Sequence, residues 1–485
     1  MGVLEHLEPK SVFHFFEEIC RIPHGSGNVR QISDYLKQFA ADRGLECIQD
    51  ELYNIIIIKE AAAGYEQEEP VILQGHMDMV AVAKAGSGID MKKEPLRLYV
   101  ENGMVRAQDT SLGGDDGIAV AYALALLDAQ DISHPRLEVV LTVDEEIGMD
   151  GAKGIDLSML RGRRLINLDQ EDEGVIITSC AGGARVDVTI PLRRETEAEE
   201  DVQQLIIKVS GLQGGHSGVE INKGRGNANC LLGNILRSLS ERFTVRVADM
   251  EGGLADNAIP REAEAVLVVK SSEAEAIAAF VEEEENRIKE TLGKNDPDVS
   301  IDKLYHDGRV FGSCYTVAST KQAFDCLNRL PNGVITMSRE VEGLVQTSLN
   351  LGVVTLEHGR LQLSYAVRSS VDEEKEQLCR QMQEIAERMG ASASVRNSYT
   401  GWAYRKDSPL RDSVAAVYER MYGQKPVFEA IHAGLECGIL ASKIEGLDCV
   451  SIGPDMADVH TAQESLDIAS VRRTWEFLLE VLKNR

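Results

Sequence analysis

Four short runs of aliphatic and β-branched residues set the fold class of this chain: Asn54 to Lys59, Val71 to Gln74, Leu137 to Val143 and Leu165 to Leu168. None alternates apolar with polar residues, so none offers a face to water. Strands of that kind belong to sheets covered on both sides. Helical segments around Ser11 to Cys20, Val29 to Ala41 and Gly117 to Ala129 separate the runs. The expectation is an α/β domain with a mainly parallel central sheet and helices on both faces.

A single core stops growing near ~250–300 residues, and this chain has 485. A second domain is therefore expected, with the acidic stretch Arg193 to Asp201 as an exit from the first. Beyond it, strands at Leu205 to Val209 and Ala265 to Lys270 alternate with helices near Ala228 to Leu239 and Ala274 to Leu292. A hairpin of Leu344 to Leu356 with Leu361 to Ser369 follows, then a helix from Asp372 to Met389 and a strand from Ala391 to Tyr399. Two α+β units of similar plan fit this pattern. After Trp402 the first rhythm returns, with a helix near Leu410 to Tyr422, strands at Val427 to Glu429 and Cys449 to Ile452, and a terminal helix from Ile468 to Lys483. The expected plan is one domain in two parts, residues 1–187 and 400–485, interrupted by an inserted α+β domain over 188–399.

Charge and composition exclude several functions. With 79 acidic against 51 basic residues the formal charge is -28, which repels a phosphate backbone, so no nucleic-acid partner is expected. No segment approaches the ~18 apolar residues of a membrane span. The N-terminus lacks the charged and apolar regions of a leader, and His6 stands where myristoylation wants Ser or Thr, so the expected location is cytoplasmic with no membrane partner. Nine cysteines, an odd number without a C-x-x-C pair, read as reduced and structural.

Acids and imidazoles recur where the buried runs end. His76 and Asp78 follow the second run, and residues two apart in a strand share a face; a histidine capped by an aspartate has the same spacing. Ser111-Leu112-Gly113-Gly114-Asp115-Asp116-Gly117 delivers two carboxylates before a helix, more than a cap requires, between glycines that permit close approach. Asp144-Glu145-Glu146 closes the third run, where adjacent like charges are costly unless a cation or protons neutralise them. Asp169 follows the fourth, and His460 lies in a late loop. Ends of α/β strands are where sites form. Imidazole with carboxylate suits zinc, manganese or cobalt, and three ligating carboxylates with one hydroxide balance two dications.

In this order, H-x-D, G-x-D-D-G, E-E, D and a late H closely resemble the metallopeptidase family that contains aminoacylases, glutamate carboxypeptidases and cytosolic dipeptidases. Ile22-Pro23-His24-Gly25-Ser26, Gly214-Gly215-His216-Ser217-Gly218, Asn257-Ala258-Ile259-Pro260-Arg261, Glu342-Gly343-Leu344-Val345 and Ile431-His432-Ala433-Gly434-Leu435-Glu436-Cys437-Gly438 are similar to its cytosolic dipeptidase branch. The resemblance implies two zinc ions per subunit, replaceable by Mn2+ or Co2+, one on His76 and Asp169, the other on Glu146 and His460, with Asp115 bridging and its bond to Asp116 cis. It implies Glu145 as general base, Asp78 orienting His76, and His216 on the inserted lid domain stabilising the oxyanion. Asn257 and Arg368 would bind the substrate carboxylate, and Glu436 the free amino group. Asp169, where the carboxypeptidase branch has Glu, favours dipeptides, Xaa-His and broader. A homodimer through the lid is implied as well. The loop after His460 reads Thr461-Ala462-Gln463-Glu464 where relatives have Ser-Pro-x-Glu. An amidohydrolase of N-acyl amino acids is the nearest alternative. A dinucleotide site fails, because Arg30 stands where that fingerprint wants a third glycine.

Overall fold

The computed structural model describes residues 2–195, 201–306 and 314–484. The chain forms two compact units. The first takes Met1–Cys180, Trp402–Ala430 and Leu435–Arg485, and the second takes Ala181–Gly401 with Ile431–Gly434.

The first unit is built on an eight-stranded sheet in the order Glu46–Gln49, Ile55–Lys59, Leu137–Thr142, Val71–His76, Arg164–Asn167, Asp448–Ser451, Val175–Cys180, Val427–Ile431. Its four central strands are parallel to one another. Antiparallel pairings flank them: Glu46–Gln49 with Ile55–Lys59, that strand with Leu137–Thr142, and Asp448–Ser451 with Val175–Cys180. Every residue of Val71–His76 and Leu137–Thr142 is buried, as unalternating runs require.

The helix Gly114–Asp128 is apolar on all sides and buried along almost its whole length, as a helix without a polar face must be. Gly117 lets it approach the helix Lys10–Ile19: a Cβ there would sit 3.2 Å from Ile19 Cδ1 and 3.4 Å from Phe16. The terminal helix Ile468–Lys483 starts at Asp467, whose side chain accepts the Ser470 N–H. Tyr122 stacks on its Trp475 at 5.9 Å and donates its hydroxyl proton to Val471 O at 2.9 Å. A buried aromatic of that size is satisfied at both its apolar and polar ends.

The second unit carries a nine-stranded sheet in the order Ser300–His306, Val202–Ser210, Ala263–Lys270, Arg246–Gly252, Val345–Glu357, Arg360–Ser369, Gly182–Pro191, Ser392–Tyr399, with Gly333–Met337 also beside Val345–Glu357. The two α+β units expected from sequence share this one sheet, joined where Glu251 and Gly252 face Thr355 and Val354. Apolar residues of the helices Ala228–Arg242, Ala274–Leu292, Val317–Arg329 and Asp372–Arg388 pack with those of the strands in one core.

Two boundaries differ from expectation. The first unit ends at Cys180 rather than 187, because Gly182–Pro191 pairs along its length with Arg360–Ser369 and with Ser392–Tyr399. Residues 431–434 fall in the second unit although the chain around them belongs to the first, and the Ala181 N–H donates to Ile431 O and Ala433 O. Of the stretch expected to mark the exit, 196–200 lies outside the described residues; Arg194–Glu195 pairs with Cys314–Tyr315.

Candidate active site

Parallel neighbours align their carboxyl ends, so the register His76 opposite Thr142 and Gln74 opposite Asn167 brings three chain exits to one rim of the first unit's sheet. His76 ends its strand, Glu145 and Glu146 follow Thr142, and Asp169 follows Asn167. The turn before the helix Gly114–Asp128 adds Asp115, and the loop after Asp448–Ser451 adds His460.

The five side chains meet around Asp115. Its Oδ1 lies 3.0 Å from His76 Nε2, and its Oδ2 lies 3.0 Å from His460 Nε2. His76 Nε2 is also 3.5 Å from Asp169 Oδ1, and His460 Nε2 is 3.0 Å from Glu146 Oε1. Two ligands held at ~2.0–2.1 Å by one tetrahedral zinc lie roughly 3.3 Å apart, so these separations are those of donor atoms sharing an ion. His76, Asp115 and Glu146 form one grouping with metal-ligand spacing, and His76, Asp116 and Asp169 another. The bond between Asp115 and Asp116 is cis.

The electrostatics are those of a centre short of positive charge. Burial opposes a charged His76, yet Asp169, Asp115 and Asp78 together raise its affinity for a proton well above the ordinary imidazole. Hydrogen bonds to Asp115 and then Glu146 push His460 up to about 11. Burial works against ionised Asp115 too, but its bonds to His460 and His76 hold the carboxyl far below the usual range. Burial pushes Asp169 up to about 7 against the pull of His76. Glu145, also driven by burial, is raised well above an ordinary glutamate. The donor set therefore fits divalent cations: the imidazoles pair with these carboxylates as stand-ins for positive charge.

Asp78 faces His76 with both its backbone carbonyl and its carboxylate. Its backbone carbonyl is the nearer partner of His76 Nδ1, at 3.0 Å, with the carboxylate Oδ1 at 3.6 Å. The carboxylate also accepts the Glu145 N–H at 3.2 Å and the Ser26 hydroxyl at 2.8 Å, linking the loop of Glu145 to the strand end of His76.

Glu436 is the group expected from sequence to meet the substrate amine. It has no exposed surface, and its Oε2 accepts from Thr142 Oγ1 at 2.5 Å and from Gln74 Nε2, both within the sheet. Burial pushes its carboxyl up to about 8.

Sequence reasoning singled out neither Asp116 nor Glu464 as a site residue. Asp116 Oδ2 accepts the His76 N–H at 3.2 Å, and only a glycine fits at 75, where a Cβ would lie 2.5 Å from that oxygen. Glu464 accepts the N–H groups of Leu112 at 2.8 Å, Gly113 at 3.1 Å, Gly114 at 2.8 Å and Asp115 at 3.4 Å. Its signal was present in the late motif, where Glu was the one position that kept to the relatives' pattern.

In the second unit, His216 Nε2 and Arg368 Nη2 lie 3.4 Å apart, and Gly218 is confined between them and His432: a Cβ there would meet His432 O at 2.3 Å, His216 Cε1 at 2.9 Å and Arg368 Nε at 3.2 Å. Burial, then Arg368, lowers His216 to about 4 and His432 to about 3, so both are neutral near pH 7. Arg368 is buried with Nε unpartnered. Asn257 stands exposed on the neighbouring turn, its carbonyl accepting the Ser217 N–H at 2.9 Å, one residue before the Ala258 that pairs with His216.

The chain is 36% identical to the cytosol non-specific dipeptidase of Escherichia coli K12 over 487 aligned residues, covering all of this chain and 99% of that one. The crystal structure of the aminoacylhistidine dipeptidase of Vibrio alginolyticus matches with a TM-score of 0.90 and 34% identity over 99% of this chain and 97% of that one. Aminopeptidase PepT of Bacillus cereus, 16% identical with a TM-score of 0.55 over 99% of both chains, shares the fold alone. The model of peptidase family M20/M25/M40 matches residues 72–484, and this chain belongs to that family.

Proposed function

We propose that the protein hydrolyses dipeptides, Xaa-His and broader, with two zinc ions: one on His76 and Asp169, the other on Glu146 and His460, and Asp115 between them. Mn2+ or Co2+ would substitute, because the ligand set is borderline in softness. The observation that carries the reading is the pair of 3.0 Å approaches from the two oxygens of Asp115 to the two imidazoles. The two similar proteins named as dipeptidases support the substrate.

When bound, the metals supply Lewis acidity to a water and to the scissile carbonyl. Glu145 takes the proton of the attacking water and returns it to the leaving amine. Asp78 holds that glutamate's backbone and the ring of His76 in one hydrogen-bonded unit. His216, neutral near pH 7, donates an N–H to the developing oxyanion, a contact worth ~3–4 kcal/mol in other enzymes. Arg368, assisted by Asn257, binds the substrate carboxylate, for which its unpartnered Nε–H is a ready donor. The lid role of the second unit and a homodimer through it rest on the family resemblance. A cytoplasmic location is supported by the name of the E. coli protein, and among the described residues no helix is long and apolar enough to cross a membrane.

The test is hydrolysis of β-alanyl-histidine and of N-acetyl-histidine by the purified chain before chelation, after it, and after zinc is restored. Cleavage of the dipeptide alone, lost on chelation and regained with zinc, is expected. Full activity after exhaustive chelation would overturn the metal centre, and preference for the acetylated compound would favour the amidohydrolase alternative.

A further inference from the structure

Beneath the rim of the first unit's sheet runs a buried polar chain that the mechanism above does not use. Asn167 Nδ2 donates to Gln74 Oε1 at 2.7 Å, and Gln74 Nε2 donates to Glu436 Oε2, which also accepts Thr142 Oγ1 at 2.5 Å. All four side chains are at most 1% exposed. Asn167, Gln74 and Thr142 stand on three adjacent strands, Arg164–Asn167, Val71–His76 and Leu137–Thr142. Each precedes a residue of the proposed centre by two to four positions: Asn167 before Asp169, Gln74 before His76, Thr142 before Glu145 and Glu146. Glu436 comes from elsewhere, the first turn of the helix Glu436–Lys443. Its carboxyl is thus one acceptor shared by two strand ends and, through Gln74, a third. A buried acceptor is removed only at the cost of its unpaired donors, and two of those donors stand within four residues of the ligands.

Resting on the two-metal reading, we propose that Glu436 is a positioning residue for the metal centre: its carboxyl fixes the spacing of the strand ends that present His76, Glu146 and Asp169, and so sets the affinity for the metal pair. The chemistry required is acceptance of two hydrogen bonds by one oxygen, so a glutamine, whose amide oxygen accepts in the same way, should serve.

The experiment is zinc binding by competition with a chromophoric chelator, on the wild type, Glu436→Gln and Glu436→Leu, with melting of each metal-free protein as a control for folding. Loss of a group that orients ligands commonly weakens a metal by ~10–100-fold, and that loss is expected for leucine. Glutamine should stay within a few-fold of the wild type. Gln74→Leu removes the opposite partner of the same bond and should weaken zinc by at least ~10-fold, which keeps the test open if Glu436→Leu does not fold. Unchanged affinity in the leucine variants overturns the inference, as does a glutamine variant as weak as leucine. A wild type that binds no divalent metal overturns the two-metal reading itself, and the inference with it.

Discussion

Replacing Glu464 by alanine should loosen the first unit by several kcal/mol and weaken its hold on metal at the same time. The carboxylate is 3% exposed and accepts four consecutive backbone N–H groups, from Leu112 to Asp115. Three of them lie at 3.1 Å or less, and each donor left buried and unpaired costs ~1–3 kcal/mol, a gross loss of roughly 3 to 9 kcal/mol. Water entering the gap offsets part, so the lower end, about 3 kcal/mol, is expected. For a unit of this size ~1 kcal/mol moves the melting temperature by ~2–4 °C, which gives a fall of about 6–12 °C. Calorimetry of the metal-free protein reads it, with the transitions of the two units resolved because a two-unit chain need not melt as one. The same turn ends on Asp115, and Glu464 lies four residues beyond His460, so zinc affinity should fall by ~10–100-fold in step. Glu464→Gln, which turns one accepting oxygen into a donor facing two N–H groups, should cost about half as much. A first-unit transition moved by less than ~2 °C together with unchanged zinc affinity would refute this account of the turn.

Glu145→Gln should retain both metals by elemental analysis while kcat falls by ~10²–10⁴; turnover near the wild type would remove the residue as general base. The second unit should be destabilised by acid through His216 and His432. Their folded values, about 4 and about 3, lie below the unfolded imidazole near ~6.5, so the unfolded chain takes up protons that the folded unit refuses. Stability is complete above pH ~6.5 and declines as pH falls toward ~4. Melting of the second unit from pH 7.5 to 4.5 should depend less on pH in His432→Gln than in the wild type, and equal slopes would show that the imidazole carries none of the effect.

The strand-borne part of the site was legible because a buried parallel strand leaves little choice. Once Val71–His76, Leu137–Thr142 and Arg164–Asn167 are read as strands covered on both faces, the residues that follow them emerge at one rim, and an acid there calls for a counter-charge. What Glu436 and Glu464 do could not be read the same way. A glutamate at a helix start or in a loop has no period to show which way it faces, and only the tertiary arrangement turned one toward Gln74 and Thr142 and the other toward four backbone N–H groups. The first unit boundary was written in a change of period. Val186, Val188 and Ile190 alternate with Arg185, Asp187 and Thr189, the mark of a strand with one wetter face, whereas the earlier runs do not alternate. Residues 431–434 carry no such mark, since their exchange between units depends on where the Ala181 N–H finds its acceptors.

The tension at the rim also explains why the site holds together as a set. Asp115, Glu145, Glu146 and Asp169 bring four carboxyl groups into a largely buried space where two imidazoles are the paired cations. Burial raises Glu145 and Asp169 toward protonation while His460 is drawn toward a permanent charge, so the metal-free unit meets its charge balance by holding protons. A dication supplies the same balance without them, and ligands must shed protons to receive it. Metal uptake by this cluster would thereby be linked to pH and to folding, with Asp115, which pairs with both imidazoles, at its centre.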